Sequence, residues 1–148
     1  MALTKIQTEM AAGGPAFSAY QSASQTIATN TSTKILFQTE NFDTNNNFAS
    51  STFTPTVAGY YQFNWRVGCN AGSGTEIWTS LYKNGANTVY GLDANGGSIY
   101  GSGGSAILYA NGTTDYFEIY FQQYSGASRT STALSNETVF SASMIRSA

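Results

Sequence analysis

The side chains able to do chemistry in this chain are few. It has no histidine, one cysteine (Cys69) and eight carboxylates: Glu9, Glu40, Asp43, Glu76, Asp93, Asp115, Glu118 and Glu137. Without histidine there is no Ser–His or Cys–His nucleophile pair, and the commonest general base and transition-metal ligand are gone. Glycoside hydrolysis would need two carboxyl groups held about 5–10 Å apart, and no spacing here singles out a pair. Each carboxylate therefore reads as a solvated or turn residue. A single cysteine excludes an intramolecular disulfide and any paired-cysteine metal site. Cys69 follows a strongly apolar run, where a thiol is ordinarily a small buried residue. The expectation is a chain that does not catalyse.

The charges exclude further classes. Lys5, Lys34, Arg66, Lys83, Arg129 and Arg146 are scattered, and the net charge is −2, so there is no basic stripe to follow a phosphate backbone and nucleic acid is not an expected partner. Only 9% of the residues are charged, against about 25% in ordinary soluble proteins. No run reaches the roughly 18 apolar residues of a spanning helix, so insertion into a membrane is not expected. Aromatic residues make up 14% of the chain, which argues against disorder. An uncharged polar surface rich in Tyr resembles those of virions and adhesins. The sequons at Asn30, Asn111 and Asn136 are what chance gives in a chain so rich in Asn and Thr.

The elements that must position these groups read as strands. Residues 1–15 form a polar lead ending in Gly13-Gly14-Pro15, a stop before any strand. The lead reads as an arm or attachment segment, and residues 16–148 as one domain. Its N-terminus has no apolar segment of the signal-peptide kind, so the expectation is either a piece excised from a larger protein or, as favoured here, synthesis in a host cytoplasm without a signal peptide. From Ala16 onward the pattern alternates. In Gly59–Val67, the residues Tyr61, Phe63, Trp65 and Val67 fall on one face and Tyr60, Gln62, Asn64 and Arg66 on the other. In Asp115–Gln122, Phe117, Ile119 and Phe121 oppose Tyr116, Glu118, Tyr120 and Gln122. Period two with rings on one side is the mark of a half-buried strand. Asn84-Gly85 lies between two such runs and reads as a type I′ hairpin turn. No segment offers a capped amphipathic helix. Many short strands with frequent turns point to an all-β sandwich or jelly roll of about ten antiparallel strands. The segments Asn70–Thr75, Asp93–Gly104 and Ser125–Ser135 read as loops.

The order Phe37, Asp43, Phe48, Phe53, Gly59, Tyr61, Phe63, Trp65 resembles the signature of the C1q domain, within the C1q/TNF-like jelly rolls. Two departures stand out: the gap from Phe48 to Phe53 is two residues short, and Trp65 occupies a place where Phe or Tyr is usual. The flanks agree with the resemblance. Ala16–Ala19 looks like the opening strand, Ser80–Gly85 the hairpin with its Lys-Asn turn, Ile107–Gly112 the strand and turn before the last third, and Phe140–Ile145 the closing strand. The likeness runs over about residues 16–146. It implies that Phe37, Phe48, Phe53, Gly59, Tyr61, Phe63 and Trp65 form the core signature. Some members of the family bind calcium through loop oxygens. Asp43, Asp93 and Asp115 would be the ligands here, but none sits in a ligand-dense loop, so no metal and no cofactor is expected.

The resemblance further implies a compact homotrimer in which one sheet of each subunit faces the threefold axis. With Phe63, Trp65, Phe117 and Phe121 turned inward, the rings of Tyr60, Tyr116 and Tyr120 are too many to leave wet. These three, with Gln62 and Gln122, are the expected trimer interface. A ring offers both buried area and a hydroxyl for bonding. The functional expectation is a non-enzymatic homotrimeric virion protein, either a bacteriophage tail-fibre tip or a capsid appendage. It would bind other virion proteins through residues 1–15, and a host-surface glycan or protein through its loops. Tyr100, in the Gly-rich segment, is the candidate for sugar stacking. The alternative is a secreted C1q/TNF-like adhesion or signalling module.

Overall fold

A computed structural model describes residues 13–73, 75–92 and 98–148, with the side chains of Ala71, Ser73 and residues 98–100 outside the description. Thirteen strands follow in order: β1 Ala16–Tyr20, β2 Thr26–Ile27, β3 Thr33–Lys34, β4 Thr39–Asp43, β5 Phe48–Ala49, β6 Thr52–Phe53, β7 Gly59–Ser73, β8 Ile77–Lys83, β9 Ala86–Tyr90, β10 Ser98–Ala110, β11 Phe117–Gln123, β12 Arg129–Thr130 and β13 Val139–Ser147. All the pairings between them are antiparallel. Among the described residues there is no helix, and hence none long and apolar enough to cross a membrane.

Two sheets carry the fold. The first runs in the order β10-β7-β13-β1-β4, the second β5-β6-β11-β8-β9 with β3 also paired to β11, and a small β12-β2 ribbon closes one end. Alternation decides what lies between them. Strand β11 reads buried, half-buried, buried along its length, so Phe117, Ile119 and Phe121 turn to the core while Glu118, Tyr120 and Gln122 turn out. The core rings interlock at the distances aromatic pairs prefer. Phe17 stacks on Phe48 and on Phe53 with centroids 4.5 Å apart, and Phe63 meets Phe117 at 4.4 Å. Phe37, Phe48, Phe53, Tyr61, Phe63 and Trp65 are all buried. Each such ring contributes roughly 1.5–3 kcal/mol.

Gly59 begins β7. Its Cβ would collide with the backbone oxygen of Arg146 on β13, so glycine is present because two strands approach closely. The short gap between Phe48 and Phe53 becomes a two-residue hairpin. Ser50 and Ser51 both adopt positive φ, 50° and 60°, with Ala49 opposite Thr52. Such a backbone disfavours a β-carbon. The Ser51 side chain offsets this by accepting the Phe37 N–H at 2.8 Å in the interior. Asn84 and Gly85, with φ of 54° and 78°, form the expected turn between β8 and β9.

Two expected loops are largely strand. β7 continues to Ser73, taking in much of Asn70–Thr75, and the Gly-rich segment is strand from Ser98 onward, paired along β7. Gly103 and Gly104 answer to Trp65, and Gly101 to the backbone oxygen of Val67. A Cβ at Gly104 would enter the Trp65 indole ring, and one at Gly103 the Trp65 backbone oxygen. The indole N–H donates to Thr79 Oγ1 on the opposite sheet at 3.0 Å, and Thr79 shares a further hydrogen bond with Ser102 on β10. A ring larger than Phe thus fits at this position because its neighbour has no side chain.

Candidate functional site

The outer face of the first sheet concentrates exposed apolar groups at one end. β7 places Tyr60 opposite Tyr109 of β10, and the two rings meet edge to face at 5.6 Å. Ile107, 55% exposed, and Ile145, 52% exposed, flank them. Together with Arg146, Ser147 and Ala148 they line an open cleft of about 540 Å³. Gln62 lies one outward step along β7. Its side-chain amide donates to Ser105 Oγ at 2.6 Å and to the Phe63 carbonyl. Lys83 reaches this end from the second sheet and donates to the Tyr109 carbonyl at 2.8 Å.

The outer face of the second sheet is ring-rich as well, but internally bonded. Tyr82 and Tyr120 stack with centroids 4.0 Å apart. Lys34 is paired with Glu118 at 2.7 Å, and both bond Thr52 Oγ1. The Tyr82 hydroxyl meets Ser32 Oγ, and that of Tyr120 meets Glu118. Burial, followed by the adjacent Glu118 carboxylate, raises the Tyr120 phenol above its ordinary value. Trp78, Tyr90 and Tyr124 continue the face toward the far end.

The expected interface residues are therefore divided. Tyr60 and Gln62 lie on the first sheet, whereas Tyr116, Tyr120 and Gln122 lie on the outer side of the second. The reason is topological: β7 and β11 belong to opposite layers of the sandwich. Outward positions on opposite layers point away from each other and cannot share one face. The residues that do join Tyr60 are Ile107, Tyr109 and Ile145. Their signal was the alternation of Ser105, Ile107 and Tyr109 on β10, a run read as strand whose pairing with β7 the sequence does not state. Tyr100 lies on β10 with its side chain outside the description, and Asp93 falls outside the described residues altogether.

The carboxylates serve the frame. Asp43 accepts the N–H groups of Asn45 and Phe48, at 3.2 and 2.7 Å. Asp115 ties two turns together. It pairs with Lys83 at 2.9 Å, accepts from the Asn84 side chain at 2.8 Å, and takes the Asn111 N–H at 2.9 Å. Burial by itself would raise the Asp115 carboxyl. The bonds from Asn84, Lys83 and Asn111, with the charge of Lys83, outweigh it and hold the group below its ordinary value. Among the described residues no three carboxylate or thiol groups come together as a metal site would require. Cys69 is buried, and burial raises its thiol to about 11, far from the reactive range. Tyr61, also buried, donates its hydroxyl to the Val57 carbonyl at 2.7 Å, and its phenol is raised to about 12.

Comparison with known proteins agrees with this geometry. The C1q domain model matches residues 16–145. The globular domain of zebrafish complement 1qA superposes with a TM-score of 0.62 at 19% identity, covering 90% of this chain and 99% of that one. Murine APRIL reaches 0.67 at 9% identity, with 89% and 99% covered. The vertex protein P5 of PRD1 reaches 0.62 at 14% identity, with 89% and 98% covered. At these identities the likeness is one of fold. No curated protein sequence matches the chain.

Proposed function

This chain belongs to the C1q domain family, and from that premise we propose that it is a non-enzymatic module that assembles as a homotrimer and serves a virion as a tail-fibre tip or capsid appendage. The observation that carries the reading is the cleft of Tyr60, Ile107, Tyr109 and Ile145 on the first sheet. Two isoleucines more than half exposed beside a pair of rings form a face that favours being covered. A second copy, repeated about an axis, covers it symmetrically. The other sheet is built with satisfied ion pairs and hydroxyls and remains outward in such an assembly. The virion role draws on the likeness in fold to a phage vertex protein and on the low charge of the surface.

Attachment to a particle falls to residues 1–15. The last of them is already anchored, the Pro15 carbonyl accepting the Met144 N–H at 3.0 Å. The test is immunogold labelling of purified particles with an antibody raised against the domain. Label at tail tips or capsid vertices supports the reading. Label absent from particles, with the protein recovered only in the medium as a free trimer, overturns the virion half and favours a secreted module.

A further inference from the structure

Three rings at the far end of the second sheet form a corner that the trimer reading does not use. Trp78 on β8 is flanked by Tyr90 on β9, at 5.6 Å and an interplanar angle of 88°, and by Tyr124 just past β11, at 5.8 Å and 59°. Tyr90 is 64% exposed and Tyr124 38%. All three stand on paired backbone. Trp78 lies opposite Gln122 and Tyr90 opposite Ser80. The chain leaving Tyr90 is held by the Gly91 N–H on the Thr79 carbonyl, and Tyr124 donates its own N–H to the Glu76 carbonyl. The indole N–H is turned aside to Glu76 Oε1 at 2.9 Å.

We propose that this corner binds a neutral glycan, one pyranose lying against an exposed ring of the cluster with the ring set across it as a wall. The proposal rests on the tail-fibre-tip reading of the function proposed above and names a ligand class for it. Rings fixed on a rigid sheet offer flat faces to the C–H patches of a sugar at little entropic cost. Gln122 beside the indole supplies an amide that can both donate to and accept from hydroxyls. Charge decides the class. Lys34 and Glu118 neutralise one another, and Glu76 beside the indole is offset by Arg129, whose Nε donates to Ser125 Oγ next to Tyr124 at 2.8 Å. With these charges balanced nothing selects an anion, and a neutral hydroxylated ligand meets no penalty.

The test is tryptophan fluorescence of the full chain titrated with maltohexaose, cellohexaose, mannohexaose and chitohexaose, with hexagalacturonate as the anionic control. Only Trp65 and Trp78 emit, and Trp65 is buried, so the response reports the corner. At least one neutral hexasaccharide is expected to bind at up to millimolar concentration. Tyr90→Ala is expected to weaken it about tenfold, the equivalent of ~1.4 kcal/mol, with an unchanged melting temperature. No neutral binder, preference for hexagalacturonate, or binding that Tyr90→Ala and Tyr124→Ala both leave intact would overturn the proposal. Mass measured on the same samples separates the two readings: a trimer that ignores sugars defeats this inference alone, and a monomer that binds them defeats only the assembly.

Discussion

The two outer faces of this sandwich both carry rings and do opposite things with them. On the first sheet Tyr60 and Tyr109 stand beside Ile107 and Ile145 with no ion pair between them. On the second, Tyr82 and Tyr120 are stacked, bonded through their hydroxyls, and bordered by the Lys34–Glu118 pair. Ring content therefore does not reveal which face is covered. The useful distinction is whether polar partners within the same face already satisfy the rings. A face whose hydroxyls and charges are spoken for loses little in water, whereas exposed isoleucine gains on burial.

The largest perturbation removes what both faces share. Phe63→Ala, at the centre of the ring cluster, is expected to cost about 3–5 kcal/mol in denaturant unfolding and to abolish both faces together. Gly104→Val comes next. Its β-carbon enters the Trp65 indole, and overpacking of this kind costs about 1–3 kcal/mol. Combining it with Trp65→Phe should recover part of the loss, and no recovery would mean the glycine answers to something else.

Smaller effects separate the faces. Lys34→Met on the second sheet removes one half of a partly exposed ion pair and should change stability by under about 1 kcal/mol, without altering mass in solution. Acid acts on the Lys83–Asp115 pair that ties the two turns together. Because the folded state lowers the Asp115 pKa, its contribution is fully present above the ordinary carboxylate value of about 3.9 and is lost as pH falls below it. Asp115→Asn should flatten that part of the stability–pH curve. An unchanged acid limb would show that other carboxylates set it.

The in–out alternation of β7 and β11 was legible because period two is a local property of the chain. So was the Asn84-Gly85 turn, whose two residues adopt the positive φ their types tolerate. What remained hidden was which layer each strand joins. Tyr60 and Tyr120 are equally outward in sequence, and only long-range pairing places them on opposite sides. The glycines of β10 were misleading for a related reason. Their cause is the neighbouring strand β7, far along the chain, where Trp65 and the Val67 backbone leave no room for a β-carbon, so local propensity read them as loop. The candidate cleft was missed because Ile107 and Tyr109 of β10, though read as strand, meet Tyr60 only through the β10–β7 pairing. The ring corner at Trp78 was equally invisible, because it joins three strands whose register the sequence does not state.

The face-specific account is tested most directly by light scattering on three proteins at micromolar concentration: wild type, Ile107→Asp and Tyr120→Asp. Wild type and Tyr120→Asp are expected at three times the 15.8 kDa chain mass, and Ile107→Asp at the single chain mass with its β-sheet circular dichroism intact. A wild-type monomer, or an Ile107→Asp trimer alongside a dissociated Tyr120→Asp, would contradict it.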